Sequence, residues 1–310
     1  MSLDPATADR LKGALATVVA IPVTPFDEAG GIDWDAHARV IRRLTDGGVT
    51  VLTPNGNTGE FYALTPDEAR LATESAIKAA AGDAEVMVGV GLDTATAIGA
   101  ARHAAGAGAS MVMIHQPVHP YVSAGGWLAY HQAIAAAVPD TGVVLYIRDT
   151  RIDGPLIGRL GEICPNVIGV KYGVRDPVSF AAAARDAGTF TWLAGLAEPT
   201  APALWAVGAR GFTSGLVNVA PAIPAALLGA LRRGDFTAAM TIWDTIRPFE
   251  ELRAANSSAD NVSVVKEALA QLGVCGRAVR PPSRTLPEPV RAQIAGILAA
   301  WNAPRAEEAR

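Results

Sequence analysis

Cysteine is almost missing from this chain: Cys164 and Cys275 are the only two in 310 residues. Two thiols make no disulfide framework, and without clustered Cys and His ligands they make no zinc site. Both are expected to be buried or free thiols in a reducing compartment. A basic excess is missing too, since the formal net charge is −4, which leaves no electrostatic footprint for nucleic acid. Two long stretches lack Asp, Glu, Lys and Arg, Ala104–Val138 and Gly211–Leu231, but prolines and the polar His115, His119 and Asn218 interrupt them. They are read as strand–loop–helix passages and not as membrane spans. The opening MSLDPATADR lacks the charged-then-apolar pattern of a signal peptide, so a soluble, cytoplasmic protein is expected. Lysine is scarce as well: Lys12, Lys78, Lys171 and Lys266 are the only four among 26 basic residues.

What the chain does have is apolar material, 50% hydrophobic against 18% charged, enough for a large core and too much for a disordered chain. That material is organised as an alternation. Short apolar runs rich in β-branched residues recur at Thr17–Val23, Val49–Thr53, Val86–Val90, Met111–His115, Val143–Ile147, Val167–Lys171, Thr191–Ala194 and Gly211–Ser214. A turn and an Ala/Leu-rich helical pattern follow each run. The runs begin 20 to 37 residues apart, the length of one βα unit, and they are apolar on both faces, as parallel strands covered by helices must be. Eight such units predict an α/β protein of the (β/α)₈ TIM-barrel type over residues 1–230. An open doubly wound sheet is the alternative, but it normally carries a Gly-rich fingerprint after its first strand, where this chain has Pro22-Val-Thr-Pro-Phe26. Thr65-Pro66-Asp67-Glu68 and Asp33-Trp34-Asp35 read as helix starts. Pro221–Arg232, Asp235–Ala254, Asn261–Leu272 and Pro287–Trp301 read as further helices, so residues 231–310 are expected to form a C-terminal helical extension.

In such barrels the chemistry sits where strands end and βα loops begin. The ends here carry Thr24, the turn Asn55-Gly-Asn-Thr-Gly-Glu60, His115, Tyr146-Ile-Arg148-Asp-Thr-Arg151, Lys171, Glu198, and Ser214 with Asn218. Lys171 is the informative one. Lys12, Lys78 and Lys266 lie in helical or terminal patterns where a solvated ammonium is expected, but Lys171 lies inside the apolar Val167-Ile-Gly-Val-Lys-Tyr-Gly. A buried ammonium is costly unless it is paired or loses its charge, and a neutral amine is what a Schiff-base enzyme needs. The competing reading is a lysine that snorkels from a strand end or pairs with Glu60 or Asp176. Tyr146, at the end of the neighbouring run, can carry protons beside an imine, or it can be a rim aromatic. The Gly56-Asn57-Thr58-Gly59 turn suits a carboxylate. Arg148 and Arg151 are candidates for a second carboxylate, and Ser214 is a further substrate-binding candidate. Five histidines and scattered acids show no metal-ligand spacing, and no G-x-S-x-G or Walker pattern occurs. Neither a metal nor a cofactor is expected. Glu198 reads as a charge at a helix N-terminus.

Thr24-Pro-Phe26, Gly56-x-Thr-Gly-Glu60, Leu64-Thr-Pro-Asp-Glu68, Tyr146, Ile168-Gly-Val-Lys171 and Val264-Val-Lys-Glu-Ala268 together resemble the dihydrodipicolinate synthase / N-acetylneuraminate lyase family of Schiff-base lyases. The resemblance implies a (β/α)₈ barrel with a helical C-terminal extension, a homotetramer, and a small 2-oxo acid substrate. It also implies an imine on Lys171, proton transfer by Tyr146, and carboxylate binding by Asn57, Thr58 and Gly59. The synthases themselves carry Thr-Thr in the turn and Tyr-Tyr after the fourth strand; here Asn57 replaces the first Thr and Val118-His119 replaces the tyrosines. An amide cannot relay protons as a hydroxyl does. Glu60-Phe61, Tyr146-Ile-Arg148, Gly173-Val-Arg-Asp176 and Arg280-Pro-Pro282 look closer to the 5-dehydro-4-deoxyglucarate dehydratase branch, with departures at Asn57, Ile147 and Tyr172. Dehydration of a sugar-derived 2-oxo diacid is therefore the leading expectation. A pyruvate-dependent aldolase or condensing enzyme is its alternative, and a non-catalytic metabolite-binding member the third.

Overall fold

The structure, a computed structural model, describes residues 3–302. The last eight residues of the expected extension and the first two of the expected barrel lie outside the described residues. The elements run α1 (Pro5–Leu15), β1 (Val18–Ala20), α2 (Trp34–Asp46), β2 (Val51–Leu52), α3 (Pro66–Ala80), β3 (Glu85–Val90), α4 (Thr94–Ala107), β4 (Met111–Ile114), α5 (Ala124–Ala136) and β5 (Gly142–Ile147). They continue with α6 (Gly154–Ile163), β6 (Val167–Tyr172), α7 (Pro177–Asp186), β7 (Thr191–Ala194), α8 (Ala201–Ala206), β8 (Gly211–Ser214), α9 (Ala222–Arg232), α10 (Phe236–Ser258), α11 (Asn261–Gln271) and α12 (Glu288–Ala300). The strands close in sequence order into a (β/α)₈ barrel, followed by the C-terminal helices α10–α12.

All eight predicted runs contain a strand, because each is apolar on both faces, and most are followed by a residue that caps the next helix. Side chains of Asp33, Thr65, Asp93, Ser123, Asp153, Asp176 and Asp235 accept the orphan backbone N–H groups at the starts of α2, α3, α4, α5, α6, α7 and α10. At α3 the cap is reciprocal, Thr65 with Glu68. The regular part of α10 stops where the sequence suggests, since Ala255, Asn256 and Ser257 leave helical geometry.

The chain divides into two compact units. The first runs up to Val19 and includes Thr50–Thr53 and Gly82–Thr213, so it holds the barrel wall. Its strand pairs are parallel and its barrel interior is apolar: Val19, Val51, Met87, Met111, Met113 and Val144 belong to one buried cluster. Register stacks the inward side chains in layers. Met113 pairs with Val144, which pairs with Gly169. Two residues on, Tyr146 pairs with Lys171 and Lys171 with Leu193. The second unit, Ala20–Val49, Pro54–Ala81 and the residues from Ser214 onward, holds α2, α3 and α9–α12 together with the loops that leave β1, β2 and β8.

Candidate active site

The pleat decides where Lys171 points. Tyr172 packs edge-on against Phe180 of α7, with ring centroids 5.4 Å apart, so the preceding residue faces the barrel interior. There Lys171 is only 3% exposed and its Nζ lies 4.0 Å from the centre of the Tyr146 ring. Burial, helped by the positive charge of Arg148, lowers the Lys171 ammonium from its usual range to about 7. A large fraction of the amine is therefore unprotonated at neutral pH. Burial pushes the Tyr146 phenol the other way, upward, and Arg148 offsets part of that rise. Space for the pair comes from Gly173: a Cβ there would sit 2.8 Å from the Tyr146 Cε2 and 3.3 Å from the Arg148 Cγ. Lys171 and Tyr146, expected to lie at the ends of neighbouring strands, pack directly against each other. The competing reading, Lys171 paired with Glu60 or Asp176, is not met: Glu60 is paired with Lys266, and Asp176 accepts from the Val178 N–H and the Ser179 hydroxyl.

The two arginines after β5 part company. Arg151 is tied to Asp149 at 2.6 Å, and its side chain is 67% exposed. Arg148 has no carboxylate partner among the described residues. Ser214 is buried, and its Oγ accepts from the Val217 N–H at 2.9 Å, which uses the hydroxyl to shape the short turn Leu216–Asn218. Glu198 opens the short helical turn Glu198–Thr200 and is fully buried.

The Gly56–Gly59 turn is built within the second unit. Gly59 lies so close to the Pro22 carbonyl that an added Cβ would stand 3.0 Å from it, and its own carbonyl accepts from the Thr24 hydroxyl at 2.8 Å. Its N–H already donates to the Gly56 carbonyl at 3.0 Å. Gly59 therefore contributes room and not a donor, which leaves Asn57 and the buried Thr58 as the polar side chains of the turn. Asn55 and Glu60 flank it with φ of 58° each, the left-handed region. Asn55 is held there by Nδ2 bonds to the Ala69 carbonyl and the Thr73 hydroxyl, at 2.9 and 3.1 Å.

Glu60 is held by Lys266, and here a sequence expectation fails. Lys266 was expected to be solvated on a helix; it is fully buried, ion-paired to Glu60, donates to the Ala278 carbonyl at 2.8 Å, and lies 3.9 Å from the centre of the Phe26 ring. The reason is that α11 is enclosed along Ser263–Leu269, all buried, so a lysine on it needs a carboxylate. The Arg280 N–H donates to Glu60 Oε1 at 3.1 Å and its guanidinium grips Glu68 at 2.6 Å, which holds the Glu68 carboxyl well below its usual range, at about 2. Removing one partner of such a buried pair leaves an uncompensated charge. Lys266→Met is expected to cost about 3–5 kcal/mol in urea unfolding, and adding Glu60→Gln should return part of that loss.

His115, carried at a strand end, and His119 lie in different surroundings. His119 is exposed and bonds within its own loop, its Nδ1 accepting from the Tyr121 N–H at 3.1 Å. His115 is 1% exposed, with its ring 6.2 Å from that of Tyr146. Among the described residues no group of three or more His, Cys, Asp or Glu could hold a metal, and no helix is long and apolar enough to cross a membrane.

A buried strand-end lysine of lowered basicity beside a tyrosine, at the carboxyl ends of adjacent strands in a (β/α)₈ barrel, defines the class of Schiff-base lyases that act on 2-oxo acids. The Dihydrodipicolinate synthetase family matches residues 14–301, and the chain belongs to it. It is similar to a probable 5-dehydro-4-deoxyglucarate dehydratase of Rhizobium rhizogenes, 31% identical over 93% of this chain and 97% of that one. A second, from Streptomyces griseus, is 34% identical over 94% and 92%. Among solved structures, dihydrodipicolinate synthase from Bacillus clausii superposes with a TM-score of 0.91 at 39% identity, covering 94% of this chain and 99% of that one.

Proposed function

We propose that this lyase dehydrates, with decarboxylation, a sugar-derived 2-oxo diacid such as 5-dehydro-4-deoxyglucarate. The observation that carries the reading is Arg148: a guanidinium with no carboxylate partner, next to the Lys171–Tyr146 pair, is what a second substrate carboxylate requires. The names of the two curated relatives point the same way. In this reading Asn57 and Thr58 hold the carboxylate beside the ketone. The Lys171 amine adds to C2, counted from that carboxylate, and loss of the carbinolamine hydroxyl as water gives the imine. The cationic nitrogen then acidifies C3–H; Tyr146 takes that proton, and the hydroxyl on C4 departs as water. The C5–C6 bond of the dehydrated intermediate then breaks: the distal carboxylate, held by Arg148, leaves as CO₂, the electron pair passes through the conjugated system to the iminium nitrogen, protons return to C3 and C4, and water hydrolyses the imine to free Lys171.

A condensing or aldol activity is the second reading, favoured by the 39% identity to a synthase of known structure. Against it stands Asn57, an amide where a hydroxyl relay is needed. The purified protein is expected to release CO₂ from 5-dehydro-4-deoxyglucarate and to condense pyruvate with aspartate semialdehyde negligibly; the opposite outcome restores the second reading. Arg148→Glu should raise KM for the diacid by about 10–100-fold and barely change it for a neutral analogue. Arg151→Glu should do little, because Asp149 already occupies that guanidinium.

A further inference from the structure

Three inward positions at the ends of adjacent strands form one row. Met113 of β4 pairs with Val144 of β5, and two residues later the same faces present His115 and Tyr146; Tyr146 in turn pairs with Lys171 of β6. The layer beneath this row, Met113, Val144 and Gly169, is entirely apolar. His115, 1% exposed, follows directly on the strand that supplies Met113 to that apolar layer. Its ring stands edge-on to Tyr146 at 6.2 Å between centroids, with the planes at 63°. At that separation a phenol oxygen and a ring nitrogen can meet directly or through one water.

We propose that His115 is a positioning and proton-relay residue that acts through Tyr146. This rests on the reading of Tyr146 as the proton carrier. The chemistry needs such a group. A neutral phenol cannot take a proton from C3 unless it hands its own proton on, and burial keeps Tyr146 in the phenol form at neutral pH. Asn57 cannot receive that proton; a neutral imidazole can. The balance closes: the C3–H bond breaks and its electron pair forms the C2=C3 bond of the enamine while the iminium nitrogen becomes neutral. The C3 proton goes to the Tyr146 oxygen as the Tyr146 proton moves to a His115 ring nitrogen, giving imidazolium. Reprotonation runs the same path backward. Lys171 and Tyr146 keep their roles, and His115 touches no reacting atom.

The test uses pyruvate as the probe and two readouts. Borohydride trapping with mass spectrometry reads imine formation at Lys171, and loss of the pyruvate methyl signal in D₂O by proton NMR reads proton transfer at C3. His115→Leu is expected to trap pyruvate as wild type does, which also shows that the variant is folded, and to exchange the methyl protons about 100-fold more slowly. His115→Gln keeps a polar side chain that cannot accept and release a proton at neutral pH, so it should be equally slow. In a Tyr146→Phe background, adding His115→Leu should slow exchange no further, because both changes break one relay. Three results overturn the proposal: unchanged exchange in His115→Leu, recovery of exchange in His115→Gln, or a second full loss on top of Tyr146→Phe. If Tyr146→Phe itself exchanges normally, the tyrosine reading fails and this inference falls with it. If Tyr146→Phe is slow and His115→Leu is not, only this inference fails.

Discussion

Lys171→Ala is expected to abolish turnover, a loss on the order of 10⁶ in kcat, while the protein folds normally. The chain has three other lysines, but none can take over. Lys266 is locked to Glu60 in the second unit, and Lys12 and Lys78 sit on helices α1 and α3. Borohydride reduction in the presence of pyruvate should add the reduced adduct to Lys171 alone, read by peptide mass spectrometry. Label on Lys12, Lys78 or Lys266, with Lys171 unmodified, would overturn the assignment. Acidity supplies a second signature. The amine attacks only as the free base, and burial with the Arg148 charge brings its ammonium down to about 7. A lowered value means the reactive form accumulates above that pH. The kcat/KM for imine formation should therefore rise tenfold per pH unit below about 7 and level off above it. A lysine of ordinary basicity would keep rising toward pH 10. Arg148→Gln removes the like charge, so the inflection should move upward.

Tyr146→Phe is expected to lower kcat by about 10²–10⁴, the range for losing a positioned proton-transfer group. The substitution removes one oxygen and keeps the ring that packs against Lys171 and fits over Gly173. Stability should change little, and a thermal melt on the same sample separates lost chemistry from lost fold. The imine should still form, so borohydride trapping of pyruvate continues while product release stops. Wild-type turnover in this variant would reduce Tyr146 to packing. Gly173→Ala probes the same contact sterically: its Cβ, 2.8 Å from the ring, must push the phenol off its position, so kcat should fall even though the tyrosine is intact.

Much of the fold was legible along the chain because its signals are local. Each strand lies in a short apolar run, α1–α7 and α10 open on a side chain that caps a first-turn N–H group, and both signals can be read within about ten residues. Lys171 was legible for the same reason: a lone lysine within Val167–Tyr172 contradicts its own surroundings, and the cost of a buried ammonium turns that contradiction into a chemical expectation. The arginines, Ser214 and the turn were visible only as candidates. Local sequence shows that a polar group is present but not what already occupies it. Asp149 takes Arg151, the Val217 N–H takes the Ser214 hydroxyl, and the Gly56 carbonyl takes the Gly59 N–H.

Two matters were decided by tertiary structure alone. Lys266 reads as a solvated helix lysine because its partner, Glu60, lies far away in the chain; only the enclosure of α11 brings the two charges together and makes each necessary to the other. His115 reads as one polar residue among several at strand ends, because nothing near it in the sequence says which side chain it will face. The period-2 pleat determines which side chains of one strand face inward. The alignment of that strand with its neighbours is set when the barrel closes: β5 and β6 pair Tyr146 with Lys171, and His115, directly after β4, comes to lie with its ring 6.2 Å from that of Tyr146. The strands, most helix starts and the anomaly of Lys171 were therefore determined by the sequence itself. Which polar groups face one another was decided by strand register and helix packing, since both depend on contacts between segments that no local pattern encodes.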